Sequence, residues 1–393
     1  MSSITSIARV LSWVCGALLF YIYFGYPILL GFLARFAPLA RKEFKAPDPT
    51  VTLLISAYNE SPVIAEKLEN SLSMDYPNQL LEIMVVSDCS EDGTDQIAER
   101  YAKRGVRLIR QARRLGKTAG LNLAVPQANG RILVFSDANA LYLRDAIRQL
   151  VRHFSDPGVG YVVGNARYVE RASASQAADA EGLYWKLETW LKRKESLFGS
   201  VVGGDGAIYA IRREMYSPLL PTDINDFLNP LQIIHRGYRG VFEPGAVSYE
   251  ETAESFVKEF RRKVRIVSRS LNALWRIPGV LNPFCEPRHW MLLVSHKLLR
   301  WFAPVFMILL FAASLLLWRF PFYRPAALLQ VAFYALALAG WMLQQRQNTW
   351  MIFSLPFYFC LVNLASLIGC VKCLRRDLAA TWIPPREGAQ SKA

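Results

Sequence analysis

Val51-Thr52-Leu53-Leu54-Ile55-Ser56-Ala57-Tyr58-Asn59-Glu60 is the stretch on which the fold turns. An apolar, β-branched run that stops at a polar triplet reads as a strand buried on both faces, with Tyr58-Asn59-Glu60 at its carboxyl end. The pattern recurs outward. Glu82–Ser87 is followed by Asp88-Cys89-Ser90, Val106–Ile109 is a third strand, and Arg131–Ser136 is followed by Asp137-Ala138-Asn139. Between them, Val63, Ile64, Leu68 and Leu72 give Ser61–Met74 helical spacing, and two further helices are predicted over Thr94–Lys103 and Lys117–Val125. Strands alternating with helices predict an α/β domain with a mostly parallel sheet flanked by helices. Such sheets bind ligands at the carboxyl ends of their strands. No GxGxxG follows the first strand, which argues against a Rossmann dehydrogenase.

The flanking sequence belongs to a different solvent. Of 393 residues 52% are hydrophobic and 20% charged, a mixture that suggests two environments in one chain. Four charge-free stretches, Val10–Ala34, Trp301–Trp318, Pro325–Gln345 and Gln347–Val371, approach or reach the ~20 residues a membrane span needs. The first is too long for a signal-peptide core and reads as a retained anchor. The expected organisation is an anchor and linker over residues 1–45, a catalytic domain over 46–270, interfacial amphipathic helices over 271–300, transmembrane helices over 301–372 and a disordered tail over 373–393. The net charge is +14. No helix-turn-helix, zinc-finger or RNA-recognition signature accompanies it, so a nucleic-acid partner is not expected. Arg41, Lys42 and Lys45 follow the first span, while Arg261, Arg262, Lys263, Arg265 and Arg269 precede the later ones. Charge so placed puts the domain in the cytosol of a multi-pass protein of the plasma (inner) membrane, and Arg261, Lys263 and Arg269 read as its membrane-facing side. Three later spans would leave the carboxyl end outside, whereas Lys372, Arg375 and Arg376 favour inside; the two agree only if one segment lies along the membrane or folds back. Cys370 and Cys373 form a lone CxxC, which argues against zinc.

Asp88 and Asp137 each close a buried strand, where a carboxylate is costly unless paired or hydrogen-bonded. Asp92 and Thr94 read as caps of the following helix. Asp137-Ala138-Asn139 sets two oxygen donors on one strand lip, and hard oxygen donors suit Mg2+ or Mn2+ shared with phosphate and water.

Four segments then occur in order: Ala57-Tyr58-Asn59-Glu60, Ser87-Asp88-Cys89-Ser90-Glu91-Asp92-Gly93-Thr94, Gly116-Lys117-Thr118-Ala119-Gly120-Leu121-Asn122 and Asp137-Ala138-Asn139. Together they resemble the family 2 glycosyltransferases of the GT-A fold, which include cellulose, hyaluronan, chitin and poly-N-acetylglucosamine synthases. The resemblance covers about residues 50–270. It implies a UDP-sugar donor, with Ala57, Tyr58, Glu60 and Asp88 at the nucleoside and Lys117 and Asp137 at the diphosphate. Asp137 and Asn139 would hold the Mg2+ or Mn2+, Asn139 standing where the family usually has Asp. Gly204 and Asp205 resemble the segment near the acceptor, and Asp226 falls where the family carries its catalytic base. Arg262-Lys263-Val264-Arg265-Ile266 aligns with Gln-x-x-Arg-Trp, implying that Arg262 and Arg265 contact the donor. Ile266 replaces the tryptophan that processive members set against the polymer. The expected activity is inverting transfer onto a growing β-linked polysaccharide, as in exopolysaccharide or cell-surface glycan synthesis. One alternative is a single addition to a lipid carrier; another is a non-enzymatic scaffold with a vestigial site. A glycan or lipid-linked acceptor, membrane lipid, and export or accessory subunits are the partners so implied.

Overall fold

A computed structural model describes residues 2–36, 47–169, 176–251, 256–343 and 350–378. Arg41, Lys42, Lys45 and residues 379–393 of the tail expected to be disordered lie outside the described residues. Cys373 and Leu374, the first residues of that tail, instead close the last helix.

The four predicted strands are present as β1 (Val51–Ala57), β2 (Leu81–Ser87), β3 (Val106–Arg110) and β4 (Ile132–Asp137). They pair in parallel in the order β3-β2-β1-β4. Register sets Ala57 beside Ser87 and Ser56 beside Asp137, so the three polar strand ends share one edge. The sheet continues with strands that the sequence did not announce: β5 (Leu141–Tyr142), β6 (Val159–Val169), β7 (Tyr209–Arg212) and β8 (Arg239–Glu251). β7 pairs antiparallel with β4 and with β6, β6 pairs parallel with β8, and β8 antiparallel with β5. The result is a mixed eight-stranded sheet rather than a mostly parallel one. Apolar clusters fill both of its faces, one centred on Leu53, Ile55 and Val134, the other on Leu54, Leu133 and Phe135. Odd and even residues of the same strands thus serve opposite layers, as a strand buried on both faces requires.

Among the described residues, four helical segments are long and apolar enough to cross a membrane: Ser3–Phe36, Pro287–Leu316, Tyr323–Leu343 and Met351–Leu374. The second begins well before Trp301, so residues 287–300, expected as interfacial, are the first turns of the same rod. Two of these helices contain a wide π turn, at Tyr21–Gly25 and at Val294–Leu298. Tyr21 and Ser295 join the two turns through their hydroxyls at 2.8 Å. The helix Met351–Leu374 packs on the basic helix Phe256–Arg276. A Cβ on Gly369 would stand 2.8 Å from Cβ of Val267, so a side chain there would force the two helices apart.

Within β8, Glu243 is buried and accepts from His153 Nε2 at 2.6 Å and from the Gly245 amide at 2.8 Å, with Arg152 as a further partner. Burial opposes its ionisation, but these donors outweigh burial and hold its pKa down to about 2. A depressed carboxylate contributes stability above its unfolded pKa of ~4.3 and loses that contribution as pH falls toward 2. Glu243→Gln is therefore expected to flatten the acid limb of a plot of unfolding midpoint against pH. An unchanged limb between about pH 5 and pH 2 would refute this, on the same linkage.

Candidate active site

The loops after β1 and β2 are stitched together. Asn59 (φ +50°) and Cys89 (φ +61°) both take left-handed backbone immediately beyond the strand ends. Such conformations cost energy in residues other than glycine and are held by their surroundings. Asn59 Oδ1 accepts the Glu91 amide at 2.9 Å, while the Glu60 amide donates to Thr94 Oγ1 at 2.8 Å. Asp92 Oδ1 accepts the Thr94 amide at 3.1 Å and its Oδ2 accepts the Ser61 amide at 2.9 Å, so this residue ties the loops as well as capping. Asp88 is buried, and its Oδ1 accepts from Gln111 Nε2, the Leu115 amide and the Gly116 amide at 2.7, 2.8 and 3.0 Å. It thereby draws the 111–116 loop over the strand edge. The Arg114 guanidinium lies 3.8 Å from the centroid of the Tyr58 ring, a cation–π contact.

One cavity of about 680 Å³ receives every site residue proposed from the sequence. Ala57, Tyr58, Glu60 and Asp88 line it from the sheet edge, with Lys117, Asp137 and Asn139 beside them. Gly204, Asp205, Asp226, Arg262 and Arg265 complete the wall. Its size falls in the range of sites that enclose small molecules, ~300–1,000 Å³.

Asp137 and Asp226 converge on Gly206. A Cβ at that glycine would stand 3.2 Å from Asp226 Oδ2 and 3.6 Å from Asp137 Oδ2. Gly204 packs against the backbone of Asp226, its amide donating to the Asp226 carbonyl. Asp226 occupies the first turn of the helix Asn225–His235. Burial raises its pKa above the ordinary carboxylate value; Lys117 acts in the opposite sense, and Asp205 and Asp137 reinforce burial. Lys117 Nζ donates to Asp137 Oδ1 at 2.5 Å. Arg265 is pushed down to about 10 by burial and by Arg269 and Arg262, against the pull of Asp226 and Asp137. Glu250 is raised to about 8 by burial and then by Asp137 and Asp205. Carboxylates crowded in this way, with Asp137 still exposing 39% of its side chain, suit a divalent cation. Among the described residues no three His, Cys, Asp or Glu side chains gather as a complete cage. A Mg2+-type ion that takes one or two protein carboxylates and completes its shell with phosphate and water needs none.

The basic helix departs from expectation. Arg261 is exposed, but Arg269 is buried and Lys263 keeps only 12% of its side chain exposed, and both line the cavity. They do not form a membrane-facing charged side: the apolar helix Met351–Leu374 covers that flank and turns them inward. Arg262 is held by Glu259 at 2.7 Å.

Other residues carry the site without having been singled out. Lys67 is fully buried, donates to the Ala140 carbonyl and supports the Asp137–Asn139 turn from behind. Burial pushes its pKa down to about 7. Its signal was a lysine on the apolar face set by Ile64 and Leu68. Glu188, Lys192 and Glu195 lie on one face of the helix Gln176–Phe198, at i, i+4 and i+7 spacing. Lys192 binds Asp205 at 3.1 Å. Glu195 accepts from Tyr26 at 2.8 Å and pairs with His296 Nδ1 at 2.5 Å. Glu188 pairs with His296 at 3.1 Å and with Arg300.

Known proteins resemble this chain in sequence and in fold. Residues 52–220 match the family described as Glycosyl transferase family 2. The beta-monoglucosyldiacylglycerol synthase of Synechocystis sp. is 28% identical over 176 residues, 42% of this chain and 35% of that protein. The poly-beta-1,6-N-acetyl-D-glucosamine synthase of Staphylococcus aureus is 26% identical over 222 residues, 55% of this chain and 53% of that protein. The chain thus spans between a third and about half of these relatives' lengths. The mannosyltransferase PcManGT from Pyrobaculum calidifontis, solved in complex with GDP-Man and Mn2+, superposes with a TM-score of 0.70 at 25% identity, covering 93% of this chain and 99% of that one. Sheet, strand-end residues and likenesses agree: residues 52–220 match a family 2 glycosyltransferase domain, built on a sheet of the GT-A fold.

Proposed function

We propose that the protein transfers a sugar from a nucleoside diphosphate sugar to a lipid-borne acceptor at the membrane, by a single displacement with inversion. The observation that carries this reading is the convergence of Asp137 and Asp226 about Gly206, in a cavity that runs on to Leu355, Phe359 and Val362 of an apolar, span-length helix. The nucleoside rests against Ala57, Tyr58, Glu60 and Asp88. Uridine is the nucleoside expected from the sequence, and guanosine is that of the donor in the Pyrobaculum complex. Asp226 accepts the proton of the acceptor hydroxyl as its oxygen attacks the anomeric carbon on the face opposite the nucleotide. The bond from that carbon to the diphosphate oxygen breaks, and its electron pair leaves with the nucleotide. Lys117 and Arg265 offset the charge that develops there. A divalent ion held by Asp137 and Asn139 would supply further neutralisation of the diphosphate. An α-linked donor then gives a β-linked product. The catalytic domain faces the cytosol at the plasma membrane in this reading, which rests on the basic residues beside the spans.

Polysaccharide synthesis keeps one support, the likeness to the staphylococcal synthase. Ile266, lining the cavity where processive members carry tryptophan, favours single addition. Purified protein incubated with a panel of UDP- and GDP-sugars, Mg2+ or Mn2+ and membrane lipid is expected to yield one labelled, solvent-extractable glycolipid. A ladder of polymer on a gel would replace this reading with the second, and no transfer from any donor would reject both. Because Asp226 must be ionised to accept a proton, kcat/KM should rise with pH along a limb above the ordinary aspartate value of ~3.9.

A further inference from the structure

We propose that the membrane end of the cavity binds the phosphate-bearing head of the lipid acceptor, an inference that rests on the glycosyl-transfer reading above. Lys263, Lys297 and Arg300 line this end. They are substantially withdrawn from solvent, with 12%, 23% and 18% of their side chains exposed. Two carboxylates, Glu259 and Glu188, pair with these three. Glu259 holds Lys263 at 3.5 Å while also pairing with Arg262 at 2.7 Å, and Glu188 holds Arg300 and, at 3.7 Å, Lys297. The neighbouring Glu195 is engaged by Tyr26, His296 and the Val202 amide. Withdrawn cations that share counter-ions in this way form a site for an anion.

The donor's diphosphate has its own cations, Lys117 and Arg265, which act on Asp226 and Asp137 at the sheet edge. The three cations of the membrane end come instead from the helices Phe256–Arg276 and Pro287–Leu316, around the Tyr184 ring, which lies 4.5 Å from Lys263 and 5.8 Å from Arg300. The span-length helix beside them lines the wall with Leu355, Phe359 and Val362, interspersed with Tyr358, Asn363 and Ser366. An anion with Leu355, Phe359 and Val362 among its neighbours is suited to carry a hydrocarbon chain. Charged head and apolar tail thus meet matching surfaces in the order in which a phospholipid-like acceptor presents them.

The test uses the full chain in a neutral detergent and three probes titrated by calorimetry: decyl phosphate, decanol and inorganic phosphate. Decyl phosphate should bind at least about tenfold more tightly than decanol, which shares its chain, and than inorganic phosphate, which shares its head. Lys297→Met and Arg300→Met should each weaken decyl phosphate about tenfold. Arg300→Met removes a partner of Glu188 and needs its fold checked by melting; Lys297→Met is the milder variant. Lys117→Met should leave this affinity unchanged. Equal binding of decyl phosphate and decanol overturns the proposal, as does inorganic phosphate binding as tightly as decyl phosphate, or loss of binding in Lys117→Met. UDP and GDP with Mn2+ are titrated in parallel. Nucleotide binding without decyl phosphate binding sinks the head site alone, whereas failure of both nucleotides sinks the glycosyl-transfer reading.

Discussion

Asp226→Asn is expected to lower the rate of sugar transfer by ~10²–10⁴, the usual contribution of a positioned general base. The substitution keeps the size and planar shape of the side chain. It also keeps the backbone contact in which the Gly204 amide donates to the residue 226 carbonyl, so the loop that carries Gly204, Asp205 and Gly206 should stay in place. What is lost is basicity: an amide oxygen does not take a proton from a hydroxyl at neutral pH. Donor affinity, measured by titrating the nucleotide sugar into the variant, should remain near that of the parent. The raised pKa of Asp226, caused first by burial, suits this task, because a carboxylate that holds protons more firmly is a stronger base once ionised. Parental turnover in the variant would remove Asp226 from the mechanism. Equal loss of donor binding and turnover would instead make it a binding residue.

Glu188→Ala should destabilise the protein by about 3–5 kcal/mol, the cost of removing one partner from a buried ionic group. Glu188 faces His296 at 3.1 Å, Lys297 at 3.7 Å and Arg300, with only 5% of its own side chain exposed. Burial alone would favour its protonated form; His296, Lys297 and Arg300 prevail and hold its pKa well below the ordinary glutamate value. Removing the carboxylate leaves Arg300 and Lys297 facing one another in a poorly solvated wall. Thermal melting in neutral detergent reads the effect, and an unchanged midpoint would show that water already screens these charges.

The parallel half of the sheet was legible because its strands are continuous apolar runs, each stopping at a polar cluster. Tyr58, Asp88 and Asp137 could be placed on one edge from that alone. β6, β7 and β8 were not legible in the same way. Val201–Ile211 contains the glycine-rich turn Gly203-Gly204-Asp205-Gly206, which masks the strand behind it; Tyr209–Ile211 pair with β4 and β6. The site residues near the sheet were found through local motifs. Glu188, Lys192, His296 and Arg300 were not, because they act across helices more than 100 residues apart in the case of Glu188 and His296. Lys263 and Arg269 were misplaced for the same reason: charge beside an apolar span has two destinations, the lipid surface or an enclosed cavity, and only the packing of Met351–Leu374 decides between them.

The two π turns change how the spans count their residues. A wide turn at Tyr21–Gly25 advances the backbone by about one residue relative to ordinary α geometry, so every side chain after it is rotated by ~100°. Tyr26, the first residue past that turn, meets Glu195, and His296, inside the second wide turn at Val294–Leu298, meets Glu188 and Glu195. Each insertion is therefore a phase change written into a hydrophobic rod: the outer half of the helix keeps a lipid-compatible stripe, while the other half aims its polar groups at the reaction chamber.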